Sequence, residues 1–189
     1  MTSRFLGGLA AAIVLTVPLM ADTVYTYTGN DFNAFTSPTS YSGSDSVTGE
    51  ITLASPLGDN LTFSSSDSGN ASPVSFSFSD GVQTFTNASG LTSIDFNFET
   101  NASGQITEWF ISLGDGAGSD TIVTSDSGAG VFDYGVMSHD NDMGEIERDP
   151  GTWSISSPSS VPEPGSLAFL GVALIAIIAT ERKLHRRGA

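Results

Sequence analysis

Two stretches of this chain alternate apolar and polar residues: Val74, Phe76 and Phe78 with Ser75, Ser77 and Ser79, and Ile94, Phe96 and Phe98 with Asp95, Asn97 and Glu99. A strand turns successive side chains to opposite faces, so a period of two sends one set to a core and the other to water. Further strands are predicted at Thr23–Thr28, Val47–Leu53, Leu61–Ser64, Val82–Thr86, Ile106–Leu113, Thr121–Thr124, Val131–Tyr134 and Trp153–Ser156. Turn-forming clusters separate them, among them Gly58-Asp59-Asn60, Ser79-Asp80-Gly81 and Asn101-Ala102-Ser103-Gly104. Short strands without a convincing helix predict an all-β domain, an antiparallel β-sandwich or a jelly roll. Serine and threonine are abundant, as in disordered chains, but 12 Phe, 2 Trp and the clean alternation favour a packed core. Thr36–Asp45 and Ser64–Ser72 are expected as mobile loops.

Charge narrows the partners. The 189 residues carry 21 acidic and 6 basic side chains, for a net charge of −15. From Asp22 to Val161 there are 19 carboxylates and a single cation, Arg148, so this stretch alone carries −18. Nucleic acid is excluded as a partner, because counterion release needs Lys and Arg arrayed against phosphate. Anionic lipid headgroups are disfavoured for the same reason. The chain has no cysteine, which excludes disulfides, Fe–S clusters, Cys-ligated zinc and a thiol nucleophile.

The other five cations sit near the two ends, and both ends read as targeting segments. Residues 1–21 have the form of a secretory signal peptide: Arg4, an apolar run from Phe5 to Val17, and Leu19-Met20-Ala21 as the cleavage site for signal peptidase. An N-terminal membrane anchor is the alternative. At the other end, a Ser/Pro linker at 156–160 leads to Val161-Pro162-Glu163-Pro164-Gly165. An uncharged segment over 165–180 follows, then Arg182, Lys183, Arg186 and Arg187 within 181–187. A helix of this length spans roughly 25 Å, just short of a bilayer core, and the basic stems can snorkel to close the gap. The positive-inside rule keeps the basic end cytoplasmic and places the domain at 22–155 outside.

Val161, Pro162, Glu163 and Pro164, then a short apolar helix, then an Arg-rich end, together resemble the PEP-CTERM sorting signal of Gram-negative bacteria. The resemblance covers about the last 29 residues. The same tail is also filed under an ice-binding protein C-terminal heading, which implies no ice activity. What the resemblance implies is an exosortase-like processing enzyme, a membrane-embedded transpeptidase acting near the motif. It also implies transient residence in the inner membrane and association with exopolysaccharide or biofilm. Glu181, Leu184 and His185 interrupt a basic end that the family often keeps unbroken.

The domain offers limited chemistry. Nucleophilic hydrolysis needs a base beside its nucleophile, and His139 is the one histidine of the domain, with no Gly-x-Ser-x-Gly elbow. A glycosidase needs two carboxyls across a sugar, for which Asp95 with Glu99 or Glu108 are candidates and Trp109 or Trp153 candidate platforms. An ice-binding face needs a regular Thr array, and Thr26 and Thr28 supply only a pair. Calcium fits better. Asp115 to Ile122 approximates a glycine-rich nonapeptide that wraps Ca²⁺, with Asp115 and Asp120 as ligands, although it occurs once where stacked β-rolls repeat it. His139 to Asp149 crowds Asp140, Asp142 and Glu145 into a run that is either a hydrated acidic hairpin loop or a second Ca²⁺ site. No cofactor is required.

These residues predict a non-enzymatic, exported surface or matrix protein, sorted by its tail and associated with exopolysaccharide. The alternative from another class is a carbohydrate-active enzyme on a jelly-roll scaffold using a carboxylate pair.

Overall fold

The computed structural model describes residues 22–63, 69–116, 120–138 and 141–156. The segments expected at 1–21 and 157–187 lie outside the described residues, as do 64–68 of the second expected mobile loop. None of the described residues is helical, so no described helix is long and apolar enough to cross a membrane. The strands are β1 (Thr23–Thr28), β2 (Ala34–Phe35), β3 (Thr48–Leu53), β4 (Ser75–Ser79), β5 (Thr84–Thr86) and β6 (Ser93–Thr100), then β7 (Ile106–Gly114), β8 (Thr121–Ser127), β9 (Gly130–Met137), β10 (Asp142–Glu147) and β11 (Thr152–Ser156). They form two antiparallel sheets, β11-β1-β3-β4-β5 and β2-β10-β9-β8-β7-β6.

The alternation read from the sequence becomes the packing of the sandwich. In the first sheet Tyr25 pairs with Ile51, Ile51 with Phe76, and Phe78 with Phe85, all on the buried face. In the second, Phe96 pairs with Ile111, Phe98 with Trp109, and Leu113 with Ile122. Rings then meet between sheets: Phe76 and Phe96 at 5.2 Å, Tyr27 and Trp109 at 5.7 Å, Phe98 and Trp153 at 5.4 Å. Such aromatic pairs add to the apolar area they bury, so the two faces cannot slide without losing both.

Three expectations are corrected. The connectivity is not that of a jelly roll, whose strands follow Greek keys; β6 to β10 are five consecutive strands of one meander. The acidic run after His139 is not a hairpin loop, because Asp142–Glu147 is strand β10, paired with β9 over its whole length. Its pattern was hidden by glycine and acids at core-facing positions: Asp142, Gly144 and Ile146 are the buried set. Finally, Leu61–Phe63 is not a strand. Leu61 merely exchanges hydrogen bonds with Thr100 at the end of β6, through the Thr100 hydroxyl (2.9 Å) and the Thr100 N–H (3.0 Å).

Thr36–Asp45, expected to be mobile, is tied down. Tyr41 is buried, with its hydroxyl donating to Asp80 at 2.7 Å, and the backbone of Ser40 donates to Asp142 at 2.7 Å. A pair of glycines makes room for this. Gly135 and Gly144 face each other across β9 and β10. A Cβ on Gly135 would collide with the Asp80 carboxylate, and one on Gly144 would lie 2.9 Å from the Tyr41 side chain. Gly135→Ala should therefore cost about 1–3 kcal/mol by overpacking. Gly58→Ala, at a site where a Cβ meets nothing within 4 Å, should stay within about 0.5 kcal/mol of wild type. Urea denaturation of the two variants measures this difference.

Candidate functional site

Of the predicted site residues, the sorting residues Val161, Pro162, Glu163 and Pro164 and the basic Arg182, Lys183, Arg186 and Arg187 lie outside the described residues, and so does Asp140. The remaining calcium candidates are well separated in role. Asp120 accepts a hydrogen bond from the Ser138 N–H at 3.1 Å, while the Asp115 N–H closes the turn onto the Asp120 carbonyl at 3.2 Å. Asp142 and Glu145 are three residues apart on one strand, and that odd spacing puts them on opposite faces of the sheet. Asp142 faces inward, 3 % exposed, bonded to the Thr39 hydroxyl and the Ser40 N–H. Burial pushes its pKa up, but these hydrogen bonds outweigh it and hold the carboxyl below the usual carboxylate range. Among the described residues no three His, Cys, Asp or Glu side chains converge in a way that could hold a metal ion.

The carboxylates that matter to the interior, Asp133 and Asp80, were not among the site candidates read from the sequence. Asp133 on β9 is fully buried, and the Tyr27 hydroxyl of β1 lies 2.8 Å from both of its oxygens. The Gly151 N–H donates to the same Tyr27 oxygen at 2.6 Å. Desolvation raises the Asp133 pKa to about 6, with Thr124, Tyr27 and the Gly151 backbone pulling the other way. Asp80, also fully buried, takes the Tyr41 hydroxyl, the Gln83 side-chain amide at 2.8 Å and the N–H groups of Val82 and Gln83. One sequence signal was available: Tyr25 and Tyr27 alternate inward on β1, and a buried tyrosine hydroxyl needs a polar partner.

The proposed sugar platforms also move. Trp109 is 6 % exposed and its indole N–H donates to Thr124 at 2.8 Å. Trp153 packs against Tyr27, Phe78, Phe98 and Trp109. Both rings belong to the core. The glycosidase candidates Glu99 and Glu108 do stand directly opposite each other across β6 and β7, and Asp95 faces Ser112. Glu108 neighbours Trp109 on β7 and so turns to the other face of the sheet, and among the described residues the carboxyl that burial raises markedly, Asp133, is fully buried.

The outer face of the first sheet was not foreseen. Across β11, β1, β3 and β4 one row reads Thr152, Thr28, Thr48 and Ser79, and the next reads Ser154, Thr26, Glu50 and Ser77. The last row reads Ser156, Val24, Thr52 and Ser75. On β5, Thr84 and Thr86 continue the first two rows. Every outward position except Val24 and Glu50 thus carries a hydroxyl. An open trough of about 400 Å³ runs across it, lined by Thr26, Thr28, Thr48, Glu50, Ser77 and Ser79. Individual Ser residues of an alternating strand were legible; their alignment over five strands depends on registers that no single segment encodes.

A pH test follows from Asp133. Between its ordinary value of 3.8 and about 6 the folded state keeps a proton that the unfolded chain has released. The stability Asp133 lends is therefore present in full below about pH 4 and is lost as pH rises through 6. Relative to Asp133→Asn, wild type should lose up to about 3 kcal/mol over that interval, read from urea midpoints at pH 4, 5, 6 and 7. A constant difference between the two proteins would contradict it.

Comparison with known proteins adds one finding. No curated protein and no solved structure matches the chain. Residues 160–183 match the family model described as the PEP-CTERM protein-sorting motif, and in that stretch the chain is similar to PEP-CTERM sorting signals.

Proposed function

We propose that this protein is a non-enzymatic component of the cell surface or extracellular matrix, delivered there through its tail and associated with exopolysaccharide. The observation that carries this reading is the sorting motif at 160–183, which marks an exported protein with a membrane-anchoring tail recognised by an exosortase. In this reading the chain is exported, held in the inner membrane with its basic end in the cytoplasm, and then released by the processing enzyme.

The all-β domain supports the second half. Its outer hydroxyl face offers many weak, regularly spaced hydrogen-bonding groups with strands roughly 4.8 Å apart. Such a surface suits a hydrated polymer of repeating hydroxyls better than an apolar protein partner. The surplus of carboxylates keeps the domain soluble and apart from other polyanions.

The test is fractionation of the tagged full chain in a producing strain. Wild type should be found with the surface and exopolysaccharide fractions. Replacing Pro162, Glu163 and Pro164 together by alanine should hold most of the protein in the inner-membrane fraction. Equal distribution of the two proteins would overturn motif-dependent delivery, and wild type free in the medium without polysaccharide would overturn the association.

A further inference from the structure

At the end of the sandwich where β1 begins and β11 finishes, two hollows open side by side, with Ile155 in the wall of both. The smaller, about 250 Å³, is lined by Thr23 and Tyr25 of β1, Leu57 and Asp59 after β3, and Ser103 of the β6–β7 turn. The larger, about 450 Å³, is lined by Asn101, Gln105, Ile106 and Trp153. Both sheets therefore contribute walls, and the core behind holds them rigid: Trp153 is fixed by Tyr27 at 5.1 Å and Phe98 at 5.4 Å.

The polar groups of these walls are not all spent. Thr23 is 2 % exposed, and its hydroxyl has no hydrogen-bond partner among the described residues. The Trp153 indole N–H is buried and likewise unpartnered. Folded proteins pair nearly all such groups, so two orphans beside adjoining hollows point to a ligand or ordered water that completes them. The Tyr25 hydroxyl accepts the Leu57 N–H at 2.8 Å, and among the described residues nothing takes its own proton. Gln105 has its oxygen engaged by Asn101 at 2.9 Å, and among the described residues its amide hydrogens have no acceptor. Ile155, 46 % exposed, supplies an apolar surface between the two hollows.

Hydroxyls, an amide, an indole N–H and one carboxylate, set among Leu57, Ile106 and Ile155, suit a ligand that both gives and accepts hydrogen bonds and has apolar faces. A sugar ring has that character. Asp59 in the wall and the −18 of the stretch repel an anionic sugar, and no Lys or Arg lines either hollow to hold one. We propose that the paired hollows bind a short stretch of a neutral polysaccharide. This rests on the association with exopolysaccharide proposed above and gives it a site distinct from the hydroxyl face of the first sheet.

The test is calorimetric titration of the purified full chain in detergent with cellohexaose, laminarihexaose, xylohexaose, an alginate hexamer and the producing strain's own exopolysaccharide. Two variants accompany wild type. Thr23→Val removes the orphan hydroxyl and should leave the melting temperature unchanged or raised. Ser103→Trp plugs the smaller hollow from an exposed turn. Saturable binding of a neutral glycan, weakened at least tenfold in both variants, supports the proposal. Equal binding by wild type and variants overturns the hollows and leaves the exopolysaccharide association standing. Binding of alginate alone overturns the neutral ligand. Binding of none of the five glycans overturns both readings together.

Discussion

The hydrogen bond between Tyr27 and Asp133 ties together parts of the fold that nothing local would hold. Tyr27 lies on the first strand, Asp133 in the middle of the other sheet, and Gly151, which donates to Tyr27, just before the last strand. One hydroxyl thus joins the two ends of the domain and both layers of the sandwich. A carboxylate in that place is costly unless hydrogen-bonded, because desolvation disfavours its charge. The aromatic rings of Trp109 and Trp153 close around Tyr27 and exclude the water that would otherwise compete. Asp80 and Asp142 do similar work nearby, fastening the β4–β5 turn and the 36–45 loop. A domain with so few cations cannot pair its buried carboxylates with Lys or Arg, and it uses Tyr, Thr, Gln and backbone N–H groups instead.

That substitution explains where the sequence was readable. Strands built on alternating Phe, such as Phe76 and Phe78 or Phe96 and Phe98, declare their faces in a single segment. Strand β10 does not, because Asp142 and Gly144 occupy core positions that are apolar elsewhere. Their burial depends on Tyr41, Thr39 and Ser40, about a hundred residues earlier in the chain. The tryptophans were ambiguous for the opposite reason: an apolar ring with a polar edge suits both a core and a sugar platform, and only the tertiary contacts decide. The calcium ligands after His139 were read from the density of carboxylates along the chain. On a strand that density is divided between two faces, as Asp142 and Glu145 illustrate.

The tail was the most legible element, since its signal is an ordered series of short pieces that needs no tertiary context. The domain's own surfaces were the least legible. The hydroxyl rows arise from the registers of β11, β1, β3, β4 and β5, and the paired hollows arise where β1, β11, the loop after β3 and the β6–β7 turn meet. The chain thus divides its labour. A contiguous segment specifies where the protein goes, and residues scattered over the whole domain shape what it meets there.

The central claim, that the tail delivers this domain to the outside and is processed there, is tested most directly at the C-terminus of the protein itself. Mass spectrometry of the protein recovered from the surface or matrix fraction should find a mature chain that ends at or near Val161–Pro164 and lacks the residues that follow. An intact C-terminus through Arg187 on the recovered protein would contradict the account.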